Sequence, residues 1–145
     1  MIGKDFKEFI ALLNKNKVKY LVVGGYALAF HGFPRYTKDI DIWVWTDLHN
    51  AENMIKSLHE FGFSSLDLNK ADFSKPGYVI QLGNPPNRID ILTSVTGLDF
   101  QTCYQTKQTL DLQGSEVYFI DLQSFKENKR ALGRHQDLAD LEHLE

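Results

Sequence analysis

The chain has 145 residues, of which 43% are hydrophobic, and a formal net charge of −3. This length and composition predict one domain over residues 1–145, long enough to bury about 68–70% of its unfolded surface. The acidic balance argues against a general polyanion binder, because nonspecific nucleic-acid affinity depends on many basic contacts.

The first half of the chain alternates helices and strands. Apolar residues at helical spacing predict an amphipathic first helix, with a buried face formed by Phe6, Phe9, Ile10 and Leu13. A strand over 18–23 runs through Gly24-Gly25 into a helix over about 26–31. A second strand covers about 39–45. A longer helix follows over 48–61, capped by Thr46-Asp47 and stopped by Gly62.

The second half begins with strands and ends with helices. Residues 63–82 are expected to form short strands, of which 78–82 is the clearest, and a turn precedes a strand over 88–92. A hairpin is expected over 109–120. Asp121 then caps a helix that runs to about Leu132, and Gly133 separates it from a last helix with an apolar stripe formed by Leu138, Leu141 and Leu144.

Nothing in the sequence indicates a membrane or an oxidising compartment. The first residues do not resemble a signal peptide, and the apolar run over 20–30 is well under the ~20 residues needed to cross a bilayer. A single cysteine, Cys103, excludes an intramolecular disulfide. We therefore expect a cytoplasmic protein with no membrane partner.

Two aspartates lie one residue apart in the predicted second strand. Residues i and i+2 of a strand share a face, so Asp39 and Asp41 point the same way. Like charges roughly 6 Å apart repel by on the order of 1–3 kcal/mol at an effective dielectric near 20. A strand has little reason to carry that cost without a cation between the two, and a divalent metal is the natural candidate. An exposed sheet face is the alternative, but Trp43 and Trp45 continue the same face and argue against open solvent.

Two further features accompany this pair. Gly24-Gly25 joins a strand to a helix, and such a turn directs backbone N–H groups and a positive dipole end at a phosphate. A turn that needs glycine for conformational reasons alone is the alternative. Asp90 lies in a later apolar strand, where it completes a three-carboxylate cluster or stands as a solvated edge residue. The three features in this order predict metal-assisted chemistry on a nucleotide.

The cations of the C-terminal segment have two interpretations. Lys126, Arg130 and Arg134 lie near one another on a helical face if Gly133 does not break it sharply. They form either a cationic wall for a triphosphate or a solvated face that is salt-bridged to the aspartates that follow, Asp137 and Asp140.

These residues resemble the nucleotidyltransferase superfamily, whose fold is shared by DNA polymerase β, CCA-adding enzymes and aminoglycoside nucleotidyltransferases. The motif matches at Gly24-Gly25, Asp39-Ile40-Asp41 and Asp90. More narrowly, the glycine turn, residues 35–41 and the tail over 128–141 look like small bacterial proteins near the AbiEii-type group. Some relatives of that group act as toxins in toxin–antitoxin or abortive-infection systems.

The resemblance implies an α+β fold with a mixed β-sheet, helices packed on one face and a helical C-terminus. Asp39, Asp41 and Asp90 are then the catalytic residues and hold Mg²⁺ or Mn²⁺. An NMP passes from ATP or another NTP to a hydroxyl acceptor while pyrophosphate leaves. Asp90 also helps to activate the acceptor. The implied nucleotide-binding residues are Gly24, Gly25, Thr37, Lys38, Lys129 and Arg134.

Two other functions stay open at this point. One is a non-catalytic module that binds nucleotide and metal and works through a protein partner. The other is a metal-dependent phosphohydrolase or nuclease, which the glycine turn before the acidic pair disfavours. Candidate acceptors are tRNA, a protein hydroxyl and a small molecule. Because 145 residues leave little chain for an acceptor-binding domain, a partner protein and a homodimer are both candidates for completing the cleft.

Overall fold

The computed structural model describes residues 4–33, 39–63, 68–83, 88–112 and 114–144. Within these ranges the chain forms six α-helices, one 3-10 helix and six β-strands. In chain order the elements are α1 Lys4–Lys15, β1 Tyr20–Val23, α2 Gly24–Phe30, β2 Asp39–Val44, α3 Leu48–Phe61, a 3-10 helix Lys70–Phe73, β3 Val79–Leu82, β4 Arg88–Leu92, α4 Phe100–Gln105, β5 Gln108–Leu112, β6 Ser115–Phe119, α5 Leu122–Leu132 and α6 His135–Leu144.

The described strands form one mixed sheet in the order β3-β4-β2-β1-β6-β5. Strand β2 runs parallel to β4, and β1 runs parallel to β6, whereas the other neighbours are antiparallel. The predicted α+β class, mixed sheet and helical C-terminus are therefore confirmed. The strands that carry the predicted carboxylates, β2 and β4, are neighbours in the interior of the sheet.

Helix boundaries follow the local sequence signals. The predicted apolar face of α1 is buried, as expected for an amphipathic helix. Asp47 caps α3 by accepting from the Asn50 backbone N–H, and Gly62 ends that helix with a left-handed φ of 109°. Asp121 and Gly133 do the same for α5. The capping residues that the sequence indicates are thus the residues that bound the helices.

Two segments differ from the sequence-based expectation. Part of the region expected to form short strands is a 3-10 helix, because Asn69 and Asp72 form a reciprocal capping box around it. Strand β3, at the end of that region, is confirmed. Helix α4 was not predicted, although Asp99 caps it by accepting from the Thr102 backbone N–H.

The strands around the aspartates are packed by buried apolar side chains. All four residues of β1 are buried, and the apolar residues of β2 that alternate with its aspartates, Ile40 and Ile42, are fully buried. Trp43 packs edge-on against Phe100 of α4 with ring centroids 5.1 Å apart, so α4 covers the aspartate face beyond the carboxylates.

In the described ranges, no helix combines the length and apolar character needed to cross a bilayer.

Candidate active site

Three aspartates meet on one face of the sheet at the β2–β4 pair. The parallel register sets Asp41 opposite Asp90 and Asp39 opposite Arg88. Directly opposed residues share a face, and so do residues two apart along one strand. Asp90 is buried, whereas Asp39 and Asp41 are half-buried. The strands therefore gather the predicted carboxylates at one place that keeps partial access to solvent.

A guanidinium lies between two of these carboxylates. The Arg88 Nη2 atom donates to Asp39 Oδ2 at 2.6 Å, and its Nε and Nη2 atoms donate to the two oxygens of Asp90 at 2.9 and 3.1 Å. Hydrogen bonding to Asp90 raises the pKa of Arg88, which keeps the group charged. Arg88 thus pairs with Asp39 and Asp90, whereas the cation expected from the sequence was a divalent metal between Asp39 and Asp41, which stays a prediction. We name Arg88 and the three aspartates the carboxylate cluster.

The pKa of Asp41 reflects its burial and the crowding of like charges in the carboxylate cluster. Burial raises the pKa of Asp41 to about 7, and repulsion from Asp90 and Asp39 and a hydrogen bond with Asp90 add to the rise. Arg88 opposes it with a smaller lowering effect. Among the described residues, three carboxylates thus face one guanidinium, and their mutual repulsion contributes to the retention of a proton on Asp41 up to near neutral pH.

Gly24 is required by the approach of Asp41. Its φ of +68° lies in the left-handed region, and a Cβ atom there would collide with the Asp41 carboxylate, including a contact of 3.1 Å to Cγ. Strand β1 places Val23 opposite Asp41, which brings the start of α2 onto this carboxylate. A glycine therefore allows the turn and the aspartate to occupy the same corner.

A cleft of about 430 Å³ opens beside this corner, within the usual range of small-molecule sites. Its lining includes Gly24 and Asp41 from the sheet side of the site and Lys129 and Arg134 from the C-terminal segment. The rest of the wall is mostly apolar, with polar groups that include Ser94, Thr96 and Asn128. Asn128 Nδ2 donates to the Thr96 carbonyl at 2.9 Å, which fixes α5 over the loop after β4.

The predicted C-terminal cations face the cleft but are paired. Lys129 Nζ lies 3.4 Å from Asp137 and 3.1 Å from Asp140, and Arg134 binds Asp137 through Nε at 2.6 Å. Arg134 lowers the pKa of Asp137 to about 2, and the Lys129 ammonium adds to this lowering. We name these four residues the helical ion-pair cluster. Of the three cations in the earlier interpretations, Arg134 lines the cleft and pairs with Asp137, whereas Lys126 and Arg130 are not among the described residues that line it. A role in binding a triphosphate stays a prediction.

The remaining predicted nucleotide-binding residues divide into two groups. Gly25 lies in the first turn of α2, directly after the glycine that contacts Asp41. Thr37 and Lys38 lie outside the described residues.

A metal ion at the carboxylate cluster would require suitable ligand atoms in a suitable arrangement. As the side chains stand, no set of three or more His, Cys, Asp or Glu groups in the described ranges is arranged as ligands of a metal. The donor type nevertheless fits, because carboxylate oxygens are preferred by Mg²⁺ and Mn²⁺ and three carboxylates share this face of the sheet. These residues fit a divalent cation if Arg88 releases the carboxylates of Asp39 and Asp90.

Two solved structures resemble this fold over most of the chain. One is a proposed nucleotidyltransferase from Thermotoga maritima, with a TM-score of 0.66 and 20% identity over 95% of this chain and 88% of that one. The other is an antigenic nucleotidyltransferase-like protein from Paracoccidioides brasiliensis, with a TM-score of 0.52 and 18% identity over 99% and 77%. The chain has the nucleotidyltransferase fold. No family model and no curated protein matches the sequence.

Within this nucleotidyltransferase fold, sequence reasoning missed Arg88 as a site residue. The alternation Arg88-Ile89-Asp90 already placed the guanidinium on the face of Asp90. The sequence alone did not reveal that β4 pairs with β2 in the register that also sets Arg88 opposite Asp39.

Proposed function

We propose that this chain transfers a nucleoside monophosphate from an NTP to a hydroxyl acceptor, with Mg²⁺ or Mn²⁺ held by Asp39, Asp41 and Asp90. The observation that carries the proposal is the β2–β4 register, which sets Asp41 beside Asp90 at a cleft that also contains Gly24. This arrangement occurs in a chain with the nucleotidyltransferase fold. ATP is the first NTP to test.

The position of each residue suggests its role in this proposed reaction. When bound, the divalent ion would stabilise charge on the attacking and leaving oxygens of an in-line displacement at the α-phosphorus. The acceptor oxygen forms the new bond to phosphorus, the bond to the β-phosphate breaks, and pyrophosphate carries away the electron pair. Asp90 is proposed to take the proton of the acceptor hydroxyl. The turn at Gly24 and Gly25 is proposed to hold the phosphates together with Lys129 and Arg134, which also line the cleft.

A test of transfer uses NTPs labelled at the α-phosphate or at the γ-phosphate, with Mg²⁺ and a cell extract as the source of acceptor. Nucleotidyl transfer predicts that label from the α-phosphate alone becomes attached to an acceptor, whether tRNA, protein or small molecule. Release of labelled NMP without any acceptor would instead indicate a phosphohydrolase.

The matched variants for this test exchange one carboxylate for an amide. Asp41→Asn is expected to abolish labelling. Asp5→Asn, at an exposed position in the first turn of α1, makes the same chemical change outside the cleft and is expected to label like the wild type. Equal labelling by all three proteins would contradict the assignment of the carboxylate cluster.

A second candidate function is a nucleotide-binding module without catalysis. The specific observation that favours it is the pairing of Arg88 with Asp39 and Asp90, which fills the acidic site with a side chain. A module that keeps Arg88 in place of a metal differs from the metal-binding module considered from the sequence, and it predicts NTP binding of equal affinity in Mg²⁺ and in EDTA. Transfer predicts binding that depends on the metal.

The similarity to AbiEii-type proteins extends the proposal to a toxin–antitoxin or abortive-infection role in the cytoplasm. The supporting residues are the glycine turn, the aspartate pair and the C-terminal tail. A toxin of this kind predicts growth arrest when the chain is expressed in a bacterial host, with relief by Asp41→Asn. Normal growth during expression of soluble wild-type protein would count against this role.

A further inference from the structure

We propose that Arg88 is the internal counter-ion of the carboxylate cluster, that a divalent cation must displace it, and that Arg88 thereby sets the metal affinity of the site. This inference rests on the proposed function, since it assumes that the carboxylates bind a metal. It adds a positioning residue that the three-carboxylate scheme does not contain.

The geometry of the ion pairs is the first support. Arg88 engages Asp90 through two nitrogen atoms and Asp39 through one, at distances between 2.6 and 3.1 Å. A planar guanidinium that binds a carboxylate with two nitrogens fixes the orientation of both groups. Arg88 therefore holds two of the three carboxylates while it is bound.

Competition for the same oxygen atoms is the second support. A Mg²⁺ ion requires carboxylate oxygens at about 2.0–2.1 Å in near-octahedral geometry. Arg88 already binds Asp39 Oδ2 and both oxygens of Asp90. A cation that takes ligands from Asp39 and Asp90 must break these charge-assisted hydrogen bonds, so part of its binding free energy is lost to the displacement.

The position of Arg88 allows the displacement without unfolding. It is the first residue of β4, and its side chain is 28% exposed, so the guanidinium has an open path to solvent. Its backbone lies in the β2–β4 ladder opposite Asp39, which holds the strand in place. Only the side chain has to move, and the carboxylates remain aligned by the sheet.

The experiment measures Mn²⁺ affinity by isothermal titration calorimetry, without nucleotide, for the wild type and for Arg88→Gln. We expect Arg88→Gln to bind Mn²⁺ at least about tenfold more tightly, because the competing cation is gone. Arg88→Lys keeps the positive charge but loses the planar fork, and a smaller gain is expected. Arg130→Gln removes the same charge from the exposed face of α5 and serves as the control, with wild-type affinity expected.

The outcomes separate the two levels of the argument. Measurable but equal affinity in wild type and Arg88→Gln would overturn the counter-ion inference and leave the metal site intact. Weaker binding by Arg88→Gln would also overturn it, because Arg88 would then organise the ligands rather than compete for them. No Mn²⁺ binding by any of the four proteins at millimolar metal would overturn the metal site itself, and the inference with it. An equal gain in Mn²⁺ affinity for Arg130→Gln would mean that the change in net charge of the protein explains the effect. This outcome would contradict a local competition between Arg88 and the metal.

Discussion

Two clusters of charged side chains contribute residues to the wall of the same cleft, and their described members differ in charge balance. The helical ion-pair cluster sets two cations against two buried aspartates, and the pKa of Asp137 is lowered to about 2. The carboxylate cluster sets one guanidinium against three aspartates, and the pKa of Asp41 is raised to about 7. A balanced cluster stabilises the fold, whereas an unbalanced one is held together by the strands and is suited to receive a cation.

The largest expected effect is the loss of a carboxylate from the balanced cluster. Asp137 is fully buried and accepts from Arg134 Nε, from the Arg134 backbone N–H and from Lys129. Asp137→Ala would leave a mostly buried Lys129 short of a partner and is expected to lower the free energy of unfolding by about 3 kcal/mol. Urea denaturation in EDTA and in Mg²⁺ should show the same loss, because the cluster does not need metal. A loss below ~0.5 kcal/mol would contradict a structural role.

The next effect tests the contact that joins α2 to the carboxylate cluster. Gly24→Ala places a side chain in the left-handed region, at about 1–2 kcal/mol, and also forces the Asp41 carboxylate to move. We expect a folded but destabilised protein that has lost Mg²⁺-dependent stabilisation. Gly32→Ala is a matched control, because that glycine also has a positive φ but has open space around its Cβ position. Equal loss of metal response in both variants would contradict a specific contact with Asp41.

A smaller effect of opposite sign is expected inside the unbalanced cluster. In EDTA at pH 8, Asp41→Asn removes like-charge repulsion and should raise the free energy of unfolding by on the order of 1 kcal/mol. Asp39→Asn removes a half-exposed partner of Arg88 and should lower it by about 1 kcal/mol. Destabilisation by both variants would indicate that Asp41 is a structural acceptor and would contradict the unbalanced cluster.

The raised pKa of Asp41 determines how the stability difference between Asp41→Asn and the wild type changes with pH. The folded pKa of Asp41, about 7, lies above the unfolded value of 3.8, so the folded state retains its proton where the unfolded state has lost it. The contribution of Asp41 to stability is therefore complete below pH 4 and is lost as pH rises through 7. The advantage of Asp41→Asn over the wild type should appear across this window, while Asp137, whose pKa is lowered, loses its contribution only below about pH 4.

The smallest effect is expected at the solvent side of the balanced cluster. Arg134 is 69% exposed, so Arg134→Gln should cost no more than about 1 kcal/mol of stability. If Arg134 also contacts phosphates, the same variant should weaken NTP binding several-fold in titration calorimetry. Unchanged NTP affinity would limit Arg134 to its pairing with Asp137.

The sequence was most informative where local signals set local structure. The alternation in β2 and β4, the caps Asp47 and Asp121 and the stop at Gly62 all predict what the structure contains, because each depends on neighbours in the chain. The 3-10 helix and α4 were missed because single-turn elements leave little periodicity to read.

Features that depend on strand pairing were harder to predict. The bond between Arg88 and Asp39 joins residues 49 positions apart and requires the β2–β4 register. The pairing of the C-terminal cations with Asp137 and Asp140 was also open, because it depends on how α6 folds back on α5. The structure pairs Lys129 and Arg134 with these aspartates. Sequence reasoning thus found the carboxylates but not the guanidinium that pairs with two of them.

The central claim is that the carboxylate cluster binds a nucleotide through a divalent metal. Its most direct test is the melting temperature of the wild type with a non-hydrolysable ATP analogue, measured in Mg²⁺ and in EDTA. Ligands that bind the folded state raise the melting temperature, and the rise grows with the logarithm of ligand concentration over Kd. The account predicts a clear rise in Mg²⁺, little rise in EDTA, and no metal-dependent rise for Asp41→Asn. Equal rises in Mg²⁺ and EDTA, or an undiminished rise in Asp41→Asn, would contradict it.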